Sequence, residues 1–306
     1  MLCRNCFLTV VSLLIMITAH AQQLVVATYN IRYDNKDDSI AGNGWRQRCP
    51  VIAQLIRFHD FDIFGTQEGK ANQLHDLRDS LHNYTYIGVG RDDGKEGGEF
   101  SAIFYKKDRF QLLDKGNFWL SPITDKPNKG WDAALPRICS WGKFKETKTG
   151  FIFYFFNLHM DHIGVVARRE SAKLVLDTIR KMSNGIPTVL TGDFNVDQHN
   201  ESYTLINASG VLKDAYMLSP VKYALNGTFN SFNINRYSSS RIDHIFLFKA
   251  FTVQRYGVLT DSYRTSNIPA ADSATGNDAD ESNRQFAPRL PSDHYPVMAI
   301  ITYAVR

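Results

Sequence analysis

The stretch TVLTGDFN, residues 188–195, decides how the rest of the chain is interpreted. A short apolar run ends abruptly in Gly-Asp-x-Asn, which predicts a buried strand that delivers Asp193 and Asn195 to the edge of a sheet. Side chains two residues apart lie on the same face of a strand, so the carboxylate and the amide are expected to point the same way. Divalent cations take oxygen ligands of this kind. Gly, Asp and Asn also make ordinary turns after strands, so the motif alone leaves both interpretations open.

Other predicted strands carry similar polar side chains at their ends. Apolar, β-prone runs at 24–29, 62–67 and 151–158 are each followed directly by an amide, a carboxylate or an imidazole. Two more runs, 241–248 and 297–305, have acidic or histidine residues near or just before their starts. We expect these strand ends to gather along one edge. Their polar residues are Asn30, Glu68, His159, Asp193, Asn195, Asp243, Asp293 and His294.

The order of the predicted elements indicates an α/β fold with two sheets packed face to face and helices outside. No internal repeat or domain linker interrupts residues 22–306, which we interpret as one domain. The closely spaced runs at 251–259 and 241–248 are predicted to pair. Four consecutive runs without intervening helices predict an antiparallel meander at 84–89, 100–105, 110–120 and 137–144. Apolar residues at helical spacing predict helices at 50–58, 71–81, 164–182 and 202–208.

Residues 1–21 predict a secretory signal peptide. Arg4 supplies a positive charge, residues 7–17 are apolar, and AHA at 19–21 is a small-x-small cleavage site. The alternative, a buried N-terminal helix, fits these flanks less well. No cysteine comes directly after the cleavage site, so a lipid anchor is not expected. No later apolar run is long enough to span a bilayer. We therefore expect a secreted or periplasmic protein. We also expect it to be a monomer.

Composition and charge exclude few ligand classes. Removing Arg4 with the leader lowers the Lys and Arg count from 35 to 34, against 31 Asp and Glu, a formal charge of +3. No long basic run follows, so binding of nucleic acid by bulk charge is not indicated. Cys49 and Cys139 permit one disulfide but do not make a disulfide-framed fold.

The polar residues at the strand ends match the needs of metal-assisted phosphate ester hydrolysis. Carboxylates hold Mg²⁺ through few protein ligands and leave positions for water and phosphate oxygens. A His–Asp pair can take a proton from water. Amide and His donors can meet the charge that develops on phosphoryl oxygens.

Six short segments, in this order, resemble the endonuclease/exonuclease/phosphatase superfamily, which includes DNase I-like nucleases, deadenylases, sphingomyelinases and inositol polyphosphate 5-phosphatases. The resemblance covers nearly all of residues 24–303. It implies a four-layered α/β/β/α sandwich of two mainly antiparallel sheets, with the site along their top edge. The segments are TYNI (28–31), TQE (66–68), NLH (157–159), TGDFN (191–195), RIDH (241–244) and SDH (292–294).

The resemblance implies a metal site and a base. Glu68, with Asn30 and Asp293, is implied to hold Mg²⁺, for which Mn²⁺ or Ca²⁺ are expected substitutes. His294 resembles the general base, and Asp243 resembles the carboxylate that orients it.

Three further roles are implied around TGDFN. Asp193 matches a position that serves either metal binding or water activation, and the sequence leaves both open. Asn195 and His159 resemble groups that bind phosphate and stabilise its charge. In nucleases of the DNase I kind, the equivalent of His159 serves instead as a general acid.

Three residues are weaker candidates for substrate binding. Arg241 either contacts phosphate or pairs with a structural carboxylate, since Arg suits both. His162 either acts at the site or simply hydrogen-bonds a carbonyl. Arg32 stands where abasic-site endonucleases have an acidic residue, which counts against abasic-DNA repair. The residues after TGDFN and around Asp243 likewise depart from the inositol 5-phosphatase pattern.

The expected activity is that of a phosphoesterase, with a phosphodiesterase or nuclease-like hydrolase ranked first. A sphingomyelinase-like phospholipid hydrolase or a sugar-phosphate hydrolase is the alternative. A catalytically inactive binding protein ranks low, because no expected Glu, Asp or His is lost. Nucleic acid, nucleotide, phospholipid headgroup and sugar phosphate all stay open as substrates, because their flanking groups would meet the loops at 32–45, 90–99 and 263–292.

Overall fold

Strands and helices alternate irregularly in the computed structural model, which describes residues 22–266 and 286–304. The helices are α1 Lys36–Ile40, α2 Trp45–Phe58, α3 Ala71–Ser80, α4 Val165–Ser183, α5 Glu201–Asn207 and α6 Ala215–Leu218. The strands are β1 Gln22–Asn30, β2 Ile63–Gln67, β3 Tyr84–Ile87, β4 Ile103–Lys106, β5 Phe110–Trp119, β6 Ile138–Glu146, β7 Ile152–His159, β8 Thr188–Asp193, β9 Leu212–Asp214, β10 Lys222–Tyr223, β11 Asp243–Phe248, β12 Phe251–Val258, β13 Tyr263–Ser266, β14 Phe286–Arg289 and β15 Val297–Tyr303.

Most strands belong to two large sheets. The seven-stranded sheet has the order β10-β12-β15-β1-β2-β4-β3, and the six-stranded sheet has the order β5-β6-β7-β8-β11-β9. Pairing is parallel for β1 with β2, β7 with β8 and β10 with β12, and antiparallel elsewhere in the two sheets. The prediction of two mainly antiparallel sheets is confirmed.

The alternation of side chains along β1 and β7 creates three apolar layers. In β1, Leu24 and Val26 belong to the cluster between the sheets, whereas Ala27 packs with helices α2 and α3. In β7, Phe155 faces the other sheet and Phe156 packs with α4. Successive side chains of a strand point to opposite faces, so a strand buried on both faces reads as one continuous apolar run. Each buried Phe contributes about 1.5–3 kcal/mol. Three layers of core between four layers of structure confirm the α/β/β/α sandwich.

Asn157 of β7 connects the two sheets just below their common edge. Its Nδ2 donates to the carbonyls of Thr66 and Ala102, each at 2.9 Å. Its Oδ1 accepts from Gln67 Nε2 at 2.7 Å and from Thr191 Oγ1 at 3.0 Å. All four hydrogen-bonding positions of the buried amide are therefore satisfied, and the sheets are held in register where their functional ends meet.

The predicted four-stranded meander is wrong. Strands β3 and β4 pair in the seven-stranded sheet, whereas β5 and β6 pair in the six-stranded sheet. The turn after β4 carries the chain across the central core, with Tyr105 and Phe110 both in the cluster between the sheets. The predicted pairing of 241–248 with 251–259 fails for the same reason. Strand β11 pairs with β8 and β9, and β12 pairs with β15 and β10.

Helix α2 begins at Trp45, five residues before the predicted start at Pro50. The Gly44 N–H donates to the Gln47 side chain at 3.1 Å, which satisfies a free donor at the helix start. Pro50 therefore lies inside the helix, where it costs one backbone hydrogen bond.

Several other expectations concern the chain outside the sheets. Cys49 and Cys139 are both buried free thiols, in different core clusters, so they do not pair. The predicted signal peptide and most of the predicted loop at 263–292 lie outside the described residues. Within 22–266 and 286–304, no helix has the length and apolar character needed to cross a membrane.

Candidate active site

An open cleft of about 440 Å³ lies where β1, β2, β7 and β8 end and β11 begins. Six of the eight predicted strand-end residues line it, and the other two, Asn30 and Asp243, lie buried behind them. The six lining residues are Glu68, His159, Asp193, Asn195, Asp293 and His294. The expectation that the strand ends gather at one edge is confirmed.

His294 and Asp243 form a buried dyad at the cleft. His294 Nδ1 lies 2.9 Å from Asp243 Oδ2, and His294 Nε2 lies 3.8 Å from Asp193 Oδ2. Burial alone would lower the pKa of His294, but the charges of Asp243 and Asp193 outweigh it and raise the pKa well above its usual value. Nδ1 is held by Asp243, and Nε2 faces Asp193 at the cleft. The raised pKa favours the imidazolium in the metal-free protein, so a role as base requires that the nearby carboxylate charge be reduced, as a bound cation would do.

The backbone around His294 is fixed to the end of β1. Ser292 Oγ donates to the carbonyl of Asn30 at 2.7 Å. The ring of Phe229 packs against His294 with centroids 5.1 Å apart, and the two residues also form a β-bridge. These contacts hold the imidazole in one orientation against Asp243.

No Lys or Arg among the described residues forms an ion pair with Glu68 or Asp193. Ligand atoms of Glu68, His159 and Asp193 lie within 4.8 Å of one another. Burial, together with the nearby charge of Asp243, raises the pKa of Asp193 to about 7. Burial also raises the pKa of Asp293 to about 6, despite the opposing effect of His294. Oxygen ligands in such surroundings suit a divalent cation, because bound positive charge would relieve their repulsion.

Asn30 acts as a donor between these carboxylates. Its Nδ2 donates to Glu68 Oε1 and to Asp193 Oδ2, each at 3.0 Å. Its Oδ1 accepts the backbone N–H of Arg32 at 3.0 Å, which fixes the orientation of the amide. In this arrangement Asn30 positions two carboxylates, and its role as a metal ligand stays a prediction.

Asn195 orients His159 in a similar way. Its Nδ2 donates to the Met160 carbonyl at 3.0 Å and lies 3.1 Å from His159 Nε2. Burial, followed by the charges of Arg137 and Arg91, lowers the pKa of His159 well below its usual value. A neutral His159 that accepts at Nε2 carries its proton on Nδ1, so in this state it is poorly suited to the general-acid role.

Three residues at the cleft have left-handed backbone conformations that non-glycine residues rarely adopt. The φ angles are 56° for Arg32, 66° for Glu68 and 51° for Asn195. Each lies just past the end of a strand, so the chain turns sharply and aims the side chain into the cleft. Such conformations cost on the order of 1–3 kcal/mol each and concentrate at functional sites.

The fully buried Arg48 of α2 holds the loops beside the cleft. Its guanidinium donates to the carbonyls of Ile31 at 2.6 Å, Arg32 at 3.1 Å and Pro291 at 3.2 Å. One side chain thus connects the end of β1 to the segment that carries Asp293 and His294. The sequence offered no motif for this role.

The model of the Endonuclease/Exonuclease/phosphatase family matches residues 27–294. The chain belongs to this family. A solved family protein from Bacteroides thetaiotaomicron is 52% identical, with 94% of this chain and 100% of that chain covered and a TM-score of 0.86. A mannosyl-6-phosphatase of Bacteroides thetaiotaomicron VPI-5482 is 54% identical, with 92% and 100% covered and a TM-score of 0.84. An uncharacterized protein of Acanthamoeba polyphaga mimivirus is 29% identical over 163 residues; the match covers 50% of this chain but only 60% of that protein.

Family membership and the site together make this chain a phosphoric ester hydrolase, as predicted. The residues present fit a divalent metal, because Glu68, Asp193 and Asp293 offer oxygen ligands in one cleft and Asn30 holds two of them together. A cation bound there would supply positive charge to phosphoryl oxygens.

The structure separates the three weaker candidates. Arg32 lines the cleft and lies 3.5 Å from Asp293, and His162 also lines it. Arg241 is wrong as a substrate contact. It is buried away from the cleft lining, 3.0 Å from Asp214 Oδ2 and stacked on the ring of Tyr216 at 3.8 Å. The alternative that Arg241 pairs with a structural carboxylate is the one observed.

Sequence reasoning missed a charged wall of the cleft. Arg91 forms a bidentate pair with Glu99 at 2.6 and 3.0 Å, and Glu99 lies 4.0 Å from His159 Nδ1. Arg137 also lines this wall. Arg91 and Glu99 belong to the Gly- and Asp-rich loop at 90–99, whose position between two strands was the available signal. For Arg137 the only signal in the sequence was its position at the start of a predicted strand.

Proposed function

We propose that this protein is a metal-dependent phosphate monoesterase that hydrolyses sugar phosphates. The observation that carries the proposal is the His294–Asp243 dyad facing a cluster of uncompensated carboxylates in one cleft. The choice of substrate is supported by 54% identity to a mannosyl-6-phosphatase that is aligned over 92% of this chain. The sequence ranked a phosphodiesterase first, but the same reacting groups serve either ester, and the relative favours the monoester.

In the proposed mechanism, His294 takes a proton from the attacking water, and Asp243 stabilises the resulting imidazolium. Arg32 contacts the phosphoryl oxygens and stabilises their developing charge, and Asn195 orients His159 beside them. Mg²⁺, with Mn²⁺ or Ca²⁺ as substitutes, is proposed as the ion that Glu68, Asp193 and Asp293 hold. A ligand role for Asp193 is preferred, because His294 already has a carboxylate partner in Asp243.

The test compares a monoester and a diester. Mannose 6-phosphate and bis(p-nitrophenyl) phosphate are offered to the same preparation, with and without EDTA. We expect EDTA-sensitive phosphate release from mannose 6-phosphate at a kcat/KM at least tenfold above that for the diester. A higher kcat/KM for the diester than for mannose 6-phosphate would identify the protein as a phosphodiesterase instead. No hydrolysis of either ester, in the presence of Mg²⁺, would contradict the proposed function.

We also propose that the protein is exported, since residues 1–21 have the composition of a signal peptide. N-terminal sequencing of protein recovered from cell fractions tests this. A secreted or periplasmic product beginning at Gln22 is expected, and an uncleaved product confined to the cytoplasm would contradict export.

A further inference from the structure

Among the described residues, three arginines line the cleft, and Arg32 has the most accessible side chain of the three. The exposed fractions are 27% for Arg32, 9% for Arg91 and 5% for Arg137. The guanidinium of Arg32 lies between two other lining residues. Its Nη1 is 3.5 Å from Asp293 Oδ2, and its central carbon is 4.6 Å from the centre of the Tyr33 ring. The charged end of Arg32, and not only its backbone, is therefore part of the cleft.

The backbone of Arg32 is fixed by three fully buried side chains. Its N–H donates to Asn30 Oδ1 at 3.0 Å, and its carbonyl accepts from Arg48 Nη2 at 3.1 Å and from Gln73 Nε2 at 2.9 Å. These contacts hold the left-handed conformation of Arg32, with φ at 56°. The surrounding structure therefore sets the direction in which this side chain leaves the backbone.

Asp38 fixes the other end of the Arg32 side chain. Its Oδ2 accepts from Arg32 Nε at 2.8 Å and from Asn35 Nδ2 at 2.6 Å. Asn35 is also the cap of helix α1, where its Oδ1 accepts the Asp38 N–H at 2.8 Å. Asn35 and Asp38 are thus hydrogen-bonded to each other twice, so the carboxylate has a set position against Arg32.

Helix α1 brings this one carboxylate to the cleft. None of its five residues, Lys36–Ile40, is buried, and Asp38 is the one that is partly covered. The helix therefore has no buried apolar face, which is the usual reason for a helix to pack against a protein. The ion pair of Asp38 with Arg32 is the contact that connects α1 to the cleft.

This arrangement leaves the outer donors of Arg32 for a ligand. Nε is engaged by Asp38, and neither Nη group makes a hydrogen bond to a described residue. A planar fork of charged N–H donors suits the non-bridging oxygens of a phosphate. A monoester offers three such oxygens and close to two negative charges at neutral pH. In a diester a second carbon group occupies one of these oxygens, which lowers the charge and removes an acceptor.

We propose that Arg32, positioned by Asp38, selects phosphate monoesters over diesters by donating from its Nη groups to non-bridging phosphoryl oxygens. Arg32 is thereby a specificity-determining residue, and Asp38 is a positioning residue that acts through it. This inference rests on the proposed monoesterase function, to which it adds the group that disfavours a diester.

The test compares p-nitrophenyl phosphate with bis(p-nitrophenyl) phosphate, because both esters release the same p-nitrophenolate. The measured quantity is kcat/KM for the monoester divided by kcat/KM for the diester. Arg32→Gln removes the cation and the fork of donors. We expect this variant to lower the ratio by about 10- to 100-fold, the range of a hydrogen bond to a charged group. An unchanged ratio, or an equal loss of kcat/KM for both esters, would overturn the inference.

Asp38→Asn tests the positioning role, because it keeps an oxygen near Arg32 Nε but removes the charge. We expect the ratio to fall by about 3- to 10-fold in the wild-type background. In the Arg32→Gln background the same substitution should change nothing, since the effect of Asp38 passes through Arg32. An equal fall in both backgrounds would show that Asp38 acts independently of Arg32 and would remove its positioning role.

Arg78→Gln is the matched control. Arg78 lies on α3, is paired through Nε with Asp79 Oδ1 at 2.8 Å and is not part of the cleft lining. Its ratio should equal that of the wild type, and a fall as large as that of Arg32→Gln would contradict a specific role of Arg32. A wild type with the higher kcat/KM for the diester is a different result, which overturns the proposed function and the selectivity of Arg32 together.

Discussion

Buried carboxylates lie at both ends of the stacked sheets, but Asp193 and Asp243 at the cleft end lack the Lys and Arg partners that Asp62 has at the opposite end. At the end opposite the cleft, Asp62 is 2% exposed and lies 2.8 Å from Lys106 Nζ and 2.5 Å from Arg109 Nη1. Arg109 also lies 3.7 Å from the buried Glu146. At the cleft end, no Lys or Arg among the described residues forms an ion pair with Asp193 or Asp243, whose nearest titratable partners of basic type are histidines.

This difference distinguishes carboxylates that stabilise the fold from carboxylates that serve the active site. A buried carboxylate with cationic partners is satisfied within the protein and contributes to the fold. A buried carboxylate without cationic partners has a raised pKa, as Asp193 has. Binding of a cation or a proton then stabilises it. Substitutions at the two ends should therefore have opposite effects on stability and activity.

The largest expected effect is on turnover, at the cleft end. His294→Gln keeps a side chain that can donate to Asp243 but cannot serve as the base. We expect kcat for mannose 6-phosphate to fall by about 10³-fold, with an unchanged circular dichroism spectrum. Turnover within tenfold of the wild type would remove His294 from the role of base.

The next effect is on stability, at the opposite end. Asp62→Asn removes the charge that Lys106 and Arg109 share and weakens the acceptor for the Val25 N–H, now at 2.8 Å. We expect the free energy of unfolding to fall by about 3 kcal/mol, measured by urea denaturation. Turnover at 25 °C should stay at the wild-type value, and a loss of activity in the folded variant would show that the two ends are not independent.

A smaller effect, of opposite sign, is expected for Asp193→Asn in metal-free protein. Because the folded-state pKa of Asp193 is raised to about 7, the folded protein binds more protons than the unfolded chain between about pH 4 and pH 7, and wild-type stability falls as pH rises through that window. The variant lacks this titration. We expect its stability relative to the wild type to increase by about 2 kcal/mol from pH 4.5 to pH 8. Urea denaturation at several pH values measures the difference, and a constant difference would contradict the raised pKa.

The smallest expected effect is stabilisation by Mg²⁺. At a free concentration ten times Kd, binding should add about 1.4 kcal/mol to the wild-type free energy of unfolding. Glu68→Gln should lose most of this increment, whereas Asp62→Asn should retain it. Thermal denaturation with and without Mg²⁺ gives the comparison, and equal increments in the two variants would place the metal elsewhere.

The strand ends could be predicted because their signals are local. An apolar run that stops at Asn30, Glu68, His159 or Asp193 marks both the end of a buried strand and the group delivered there. The continuous apolar runs of β1 and β7 are equally local, and they indicate strands buried on both faces.

The incorrect or missing predictions concern residues that are distant in sequence but contact one another in the fold. Strands β4 and β5 are neighbours in sequence but belong to different sheets, and no local pattern records that crossing. Arg48 and Arg137 look like ordinary arginines until the fold surrounds them with carbonyls and with Asp161. Arg241 stands next to a predicted site residue, but its partner Asp214 comes from another strand of the same sheet. Position beside a motif was therefore a poor guide to whether an arginine contacts substrate.

The most direct test of a metal-dependent phosphatase site is phosphate release from mannose 6-phosphate by EDTA-treated protein as Mg²⁺ is added back. We expect no turnover without the metal, saturable recovery in the wild type and in Asp62→Asn, and no recovery in Glu68→Gln at the same Mg²⁺ concentrations. Full turnover in EDTA, or equal recovery in Glu68→Gln and the wild type, would contradict the claim that the uncompensated carboxylates of the cleft form a metal-dependent phosphatase site.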